Sequence, residues 1–136
     1  MTSGGMGTMG YSIPAAMGAK LAAPDRQVIA VCGDGSFQMS MMELATMRQH
    51  GVPVKIIVIS NKYLGMVRQY QHFTYKDHYS VVDLSGSPDL EKLVSAYDIP
   101  YLRLENMKNA DAVIDAFLAK DESILLECIV DPMDLV

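Results

Sequence analysis

A strand signal, a glycine-flanked aspartate and a helix start follow one another in QVIAVCGDGSFQ, residues 27–38. The apolar run of residues 27–32 has the length of a strand, and Asp34 follows it directly. Residues 54–60 form a second apolar run, rich in β-branched side chains, which predicts a strand buried on both faces. Asn61 follows that run. Asp34 and Asn61 are therefore expected at the ends of two consecutive strands.

Strand and helix signals alternate along the rest of the chain. Ser12 and Ser36 are candidate helix N-caps, and Gly51 with Pro53 marks a helix end. A polar loop over residues 74–88 is long enough to suggest a functional role. The predicted helices cover residues 12–23, 37–50, 64–73, 89–97 and 110–120, and two further strands cover residues 101–104 and 124–130.

This alternation predicts an α/β fold. Strands separated by helices, without hairpin turns, indicate a three-layer, doubly wound parallel sheet with helices on both faces. Ligands of such sheets bind at the carboxyl ends of the strands. Asp34 and Asn61 are predicted to lie at two of those ends.

The residue types at these strand ends suit a hard divalent cation bound together with phosphates. Asp34 offers a carboxylate, Asn61 an amide oxygen, and a backbone carbonyl just after Asn61 a third oxygen, which are ligands that Mg²⁺ prefers. Gly35 and Ser36 place N–H groups at a helix start, where a phosphate is stabilised. Taken alone, residues 33–35 are equally compatible with a simple tight turn.

Composition and charge narrow the classes of partner. The 136 residues carry a formal net charge of −5 with acidic and basic side chains interspersed, so no basic surface for nucleic acid is expected. The apolar runs have strand length and are far too short to span a membrane. A cytoplasmic protein with neither nucleic acid nor membrane as partner is predicted.

An aspartate between two glycines, followed after one βαβ unit by an asparagine, is a pattern similar to that of thiamine diphosphate enzymes. Further distinctive segments are GGMGTMGY (4–11), PAA (14–16), GDGSFQM (33–39), ELAT (43–46), PVK (53–55) and GMVRQ (65–69). Together these segments resemble one enzyme family, the large catalytic subunits of acetolactate (acetohydroxyacid) synthase. The likeness covers nearly the whole chain and is densest over residues 4–71.

The resemblance implies a site for thiamine diphosphate and Mg²⁺. It implies Asp34, Asn61 and the carbonyl of Tyr63 as the metal ligands, and Met66 with Tyr70 as substrate-pocket residues. The family usually has tryptophan at the position of Tyr70, so the preference between pyruvate and 2-ketobutyrate is open. The implied cofactor-binding residues are Gly7, Met9, Gly33, Asp34, Gly35, Ser36, Asn61, Tyr63, Leu64, Gly65 and Met66.

The resemblance also implies a larger enzyme. Family members decarboxylate pyruvate and join the remaining two-carbon unit to a second 2-keto acid in branched-chain amino acid biosynthesis, as homo-oligomers that can carry a regulatory small subunit. Their activating glutamate lies in an N-terminal domain, and FAD binds a middle domain. The glycine-rich residues 1–10 contain no complete structural element, so the chain is expected to be the C-terminal domain excised from a longer polypeptide. It would contain no catalytic residue of its own and would be inactive alone.

Three alternatives remain open at this point. Gly5, Gly7 and Gly10 match the dinucleotide fingerprint, with Asp34 as the ribose-binding acid, which would indicate an NAD(P)-binding Rossmann domain. Pyruvate oxidase or glyoxylate carboligase would share the metal motif, and only residues 65–71 argue against them. A domain that binds cofactor without catalysis is the third.

Residues 66–80 are expected to be mobile without cofactor.

Overall fold

The structure, a computed structural model, describes residues 1–134 and contains four strands and six α-helices within them. The strands are β1 (Ile29–Gly33), β2 (Lys55–Ser60), β3 (Tyr101–Leu104) and β4 (Ile124–Ile129). The helices are α1 (Ser12–Ala22), α2 (Asp34–Ser40), α3 (Glu43–His50), α4 (Gly65–Tyr75), α5 (Leu90–Ser95) and α6 (Ala110–Ala119), with a short 3₁₀ turn at Met107–Asn109.

The four strands form one parallel sheet in the order β1-β2-β4-β3. Consecutive parallel strands must be joined by a crossover connection, so helices connect the strands and cover the sheet. In this order β4, the last strand in sequence, lies between β2 and β3. Val58 of β2 and Arg103 of β3 consequently both stand opposite Glu127 of β4.

Helices pack on both faces of the sheet, which confirms the predicted α/β class. On one face α1, α2, α3 and α5 bury the larger core, whose fully buried side chains include Ile13, Phe37 and Leu44. On the other face α6 packs Phe117 against Ile124 and its neighbours.

α6 leaves part of its face of the sheet uncovered. Ile29 and Val31 of β1 are 39% and 58% exposed, and Ile59 of β2 is 38% exposed. These apolar side chains form an exposed patch on the β1 side of the sheet, which we call the β1 patch.

The helix predicted over residues 37–50 is two helices, separated by a turn at Met41 and Met42. α2 begins at Asp34, with Gly33 at its N-cap position, so Ser36 is the third helical residue and not the cap. The Ser36 hydroxyl instead accepts a hydrogen bond from Gly10 N at 2.9 Å.

The first helix also starts differently from the prediction. Ser12 is the first residue of α1, Tyr11 occupies the cap position, and no side chain caps the helix. Asp89, by contrast, does cap α5 by accepting a hydrogen bond from Lys92 N at 3.1 Å. Within residues 1–134, no helix has both the length and the apolarity needed to cross a membrane.

Candidate functional site

The centre of the candidate site is Asp34, whose residue surface is only 3% exposed. Its Oδ1 accepts a hydrogen bond from Gly35 N and its Oδ2 from Lys62 N, both at 2.8 Å. No ion pair to Asp34 occurs within residues 1–134. A buried carboxylate without a cation is unfavourable, because its lost hydration is replaced only by dipoles. A bound metal ion would supply the missing positive charge.

The loop after β2 presents two further oxygens. Asn61 Oδ1 accepts a hydrogen bond from Tyr63 N at 2.9 Å, which fixes the orientation of its amide. An amide oxygen has two lone pairs, so this bond leaves one for a metal ion. Among the described residues, no backbone N–H outside regular helices and strands donates to the Tyr63 carbonyl. We call residues 61–64 the ligand loop. The hydrogen bond from Lys62 N to Asp34 Oδ2 links this loop to Asp34.

A second segment supports the ligand loop. Leu64 N donates to Val82 O at 2.9 Å, and Leu84 N donates to Lys62 O at 2.8 Å. Tyr63 stands opposite Asp83 in the antiparallel bridge between them. The long polar loop predicted over residues 74–88 therefore pairs with the ligand loop, a contact that nothing in its composition signals.

Gly35 is the point at which three segments meet. A Cβ added to Gly35 would lie 2.6 Å from Leu64 Cδ2, 3.2 Å from Met9 Cε and 3.3 Å from Leu84 Cδ1. Only glycine allows this close approach without a shift of its neighbours. The structure thereby brings together Met9, Gly35 and Leu64, which the family resemblance assigns to one cofactor site.

The N-terminal glycines also contribute to this region. Gly10 N donates to Ser36 Oγ, and the Gly10 Cα lies so close to Met39 that an added Cβ would be 3.2 Å from the Met39 Cβ. Gly5, Gly7 and Gly10 all have positive φ, and residues 1–10 contain turns and no strand. Because Asp34 is buried and bonded to backbone N–H groups, this arrangement gives no support to a dinucleotide site.

Met9, Gly35 and Leu64 form a packed cluster, and other predicted site residues lie outside it. Gly7 has a φ of 58° and open space around it. Met66 is 76% exposed and Tyr70 is 59% exposed, and their four-residue separation places them on one face of α4. Gly33 ends β1 and Gly65 begins α4, so both adjoin the cluster. A substrate pocket at Met66 and Tyr70 stays a prediction.

Arg68 was not among the predicted site residues, yet its side chain packs against Tyr63. It is 6% exposed, and its guanidinium lies 5.0 Å from the Tyr63 ring centroid and 5.5 Å from that of Tyr79. It also donates a hydrogen bond to Pro132 O. Arg68 therefore ties the ligand loop to the segment after β4, beside a cavity of about 380 Å³ that Tyr63 and Tyr79 line.

A larger cavity lies elsewhere. It has a volume of about 540 Å³ and opens between residues 1–3, α1 and β1. None of the candidate site residues lines it. The candidate site is consequently identified by its donor set and not by cavity size.

The donor set fits a hard divalent cation that is shared with phosphates. Mg²⁺ is usually bound by one or two carboxylates plus substrate phosphates, and here one buried carboxylate is hydrogen-bonded to the loop that carries the Asn61 amide and the Tyr63 carbonyl. Within residues 1–134 no group of three or more His, Cys, Asp or Glu side chains could hold a metal ion by itself. A phosphate-bearing ligand would therefore complete the coordination of the metal ion.

Comparison with known proteins gives a family match over residues 1–128. The matching family is described as "Thiamine pyrophosphate enzyme, C-terminal TPP binding domain". Thiamine pyrophosphate is another name for thiamine diphosphate. The match includes every candidate site residue named above.

Curated relatives carry a consistent description. The chain is 42% identical over 137 aligned residues to the acetolactate synthase large subunit of Lactococcus lactis subsp. lactis (strain IL1403), covering 100% of this chain and 24% of that protein. It is 38% identical over 136 residues to the acetolactate synthase isozyme 2 large subunit of Escherichia coli (strain K12), covering 100% and 25%. With the acetolactate synthase large subunit of Pyropia yezoensis it shares 43% over 129 residues, covering 94% and 22%. The chain thus spans about a quarter of the length of these relatives.

Proposed function

Since the chain belongs to the family of thiamine pyrophosphate enzyme C-terminal TPP-binding domains, we propose that it binds thiamine diphosphate with Mg²⁺ where β1 and β2 end. The observation that carries the proposal is the buried Asp34 carboxylate, which has no cation partner in the described chain and is bonded to the ligand loop. The metal would be held by Asp34, Asn61 and the carbonyl of Tyr63.

The remaining site residues would hold the organic part of the cofactor. Gly33, Gly35, Ser36, Leu64 and Gly65 adjoin the proposed metal and would contact the diphosphate. The close packing of Leu64 on Gly35 supports assigning the two residues to one site, because it brings the start of α2 and the ligand loop together.

Residues at the edge of the cluster would contact the cofactor rings. Met9 packs against Gly35 and is well placed for this role, while Gly7 and Met66 are assigned by resemblance. Met66 and Tyr70 would border the substrate.

We propose acetolactate synthase as the activity of the parent enzyme, with pyruvate and a second 2-keto acid, pyruvate or 2-ketobutyrate, as substrates in branched-chain amino acid biosynthesis. The similarity to acetolactate synthase large subunits supports this. The cofactor supplies the capacity to stabilise a carbanion at the keto carbon. The residues of this chain would fix its position and exclude water, which is an orientation effect. A cytoplasmic location stays a prediction.

We further propose that the chain is one domain of a larger assembly. FAD, the activating glutamate and a regulatory small subunit would belong to other parts of a homo-oligomeric enzyme. The exposed β1 patch supports this proposal, since apolar patches commonly mark surfaces that a partner covers.

Calorimetric titration tests the binding proposal directly. Thiamine diphosphate is expected to bind the chain in the presence of Mg²⁺ and to give no heat when EDTA removes the metal, because the diphosphate and Asp34 would otherwise repel each other. NADH, titrated in parallel, is expected to give no heat. Binding of NADH, or binding of thiamine diphosphate that is unaffected by EDTA, would contradict the proposal.

Turnover tests the division of labour between domains. The 136-residue chain, saturated with thiamine diphosphate and Mg²⁺, is expected to release no acetolactate from pyruvate, because the activating glutamate is assigned to another domain. A colorimetric assay for acetoin after acid decarboxylation measures the product. Acetolactate formation above the protein-free control would show that this chain activates the cofactor unaided.

A further inference from the structure

Lys62 occupies a backbone conformation that lysine does not favour. Its φ is 60°, in the left-handed region where the Cβ of an L-residue crowds the backbone. Glycine or asparagine would adopt this conformation more readily. Contacts made by Lys62 must therefore hold it there.

From this conformation the backbone of Lys62 links the two sides of the site. Its N–H donates to Asp34 Oδ2, and its carbonyl accepts from Leu84 N, each at 2.8 Å. Any rotation of Lys62 would break both bonds and would move the neighbouring Asn61 and Tyr63. The geometry of the proposed metal ligands thus depends on the conformation of this residue.

The side chain of Lys62 is held by a buried acid. Lys62 Nζ lies 3.4 Å from Glu127 Oε1, and the Glu127 side chain is only 5% exposed. Lys62 is the only basic residue within 4.0 Å of this carboxylate in the part of the chain that the structure describes. A buried carboxylate retains its counter-ion strongly, because separation would leave an uncompensated charge.

The second oxygen of Glu127 has a different partner. Tyr101 donates its hydroxyl to Glu127 Oε2 at 2.6 Å from the neighbouring strand β3. Burial alone would raise the pKa of Glu127, but the hydrogen bond from Tyr101 and the charge of Lys62 lower it below its usual value. The carboxyl group is therefore ionised when it faces Lys62.

We propose that Glu127, acting through Lys62, is a positioning residue for the Asp34 and Asn61 ligands of the thiamine diphosphate–Mg²⁺ site. This inference rests on the proposed function. Glu127 holds the Lys62 ammonium, Lys62 keeps its left-handed conformation, and the Lys62 N–H then orients the Asp34 carboxylate. Tyr101 bonds the same carboxylate but does not reach the ligand loop, so it serves as the matched control.

Calorimetry with Mg²⁺ and thiamine diphosphate separates positioning from general stability. Lys62→Met and Glu127→Gln are each expected to weaken binding roughly tenfold, the lower end of the effect of losing a residue that orients a metal ligand. The double variant should lose no more than either single variant, since both remove one interaction. Tyr101→Phe is expected to lower the unfolding temperature and to bind within about twofold of the original chain. Lys62→Arg, which keeps the positive charge, should bind with most of the affinity of the original chain.

Two outcomes of the calorimetry would overturn the proposal. One is an affinity of Lys62→Met equal to that of the original chain. The other is a loss in Tyr101→Phe as large as that in Glu127→Gln, which would indicate a purely structural role for the carboxylate. Lys62 is partly exposed, so its variants keep the test decisive even if Glu127→Gln does not fold.

Hydrogen exchange of the Lys62 amide provides a readout without cofactor. NMR is expected to show a protected amide, because its proton is bonded to Asp34, and exchange roughly tenfold faster in Lys62→Met and Glu127→Gln but not in Tyr101→Phe. Unchanged exchange in Lys62→Met would refute the positioning role. If the original chain binds no cofactor, the proposed function fails, while this exchange measurement still decides whether Glu127 orders the ligand loop.

Discussion

Replacing Asp34 with alanine is expected to abolish Mg²⁺-dependent binding of thiamine diphosphate. Asp34 is the buried carboxylate of the proposed site, and the other two metal ligands are neutral oxygens. Removing one partner of a buried charge interaction costs about 2–5 kcal/mol, and 2.7 kcal/mol corresponds to about 100-fold in affinity. Isothermal titration calorimetry should therefore show an affinity that is lower by a factor of about 100 or more.

Two further variants make this result interpretable. Asp34→Asn keeps one oxygen that can accept the hydrogen bond from Lys62 N, but it loses the charge and the acceptor for Gly35 N, so it should fold and still fail to bind metal with cofactor. Asp25→Ala removes an exposed aspartate from the turn before β1 and should bind normally. If Asp34→Asn binds as tightly as the original chain, Asp34 is not the anionic metal ligand.

Replacing Phe37 with alanine is expected to lower the free energy of unfolding by about 3–5 kcal/mol. Phe37 is fully buried in α2, two residues after Gly35, and it belongs to the larger core. Its loss would leave a cavity beneath the helix that carries Asp34. Because small domains have a total stability of only about 5–15 kcal/mol, the variant should unfold at a much lower denaturant concentration.

Urea denaturation followed by circular dichroism measures the change, and Phe73→Ala is the control. Phe73 is 69% exposed on α4, so its removal should change the stability by less than about 0.5 kcal/mol. Similar midpoints for the two variants would show that Phe37 does not pack as described.

Much of the fold could be predicted from the chain alone. The apolar runs around residues 29–33, 55–60 and 124–129 are continuous and strand-length, so strand pairing buries them on at least one face. Helix-forming segments between them require crossover connections, and these in turn require parallel strands. The strand-end positions of Asp34 and Asn61 follow from this order, since both residues come directly after strands.

Helix starts were predicted less well, because long-range bonds compete with local capping. Ser12 and Ser36 have the residue type of an N-cap, yet neither caps its helix. The hydroxyl of Ser36 instead bonds Gly10, which lies 26 residues away in sequence. A capping preference is worth about 1 kcal/mol, so a tertiary contact of similar strength can replace it.

The sequence by itself determined the α/β alternation, the identity of Asp34 and Asn61 as strand-end oxygens, and the family resemblance, because each depends on residue types within a few positions of one another. Only the tertiary structure decided that Lys62 adopts a left-handed conformation and that its side chain meets Glu127, 65 residues further along. That contact exists because β4 lies beside β2 in the sheet. Strand order is a property of the whole packed chain, so no local pattern around either residue could have predicted it.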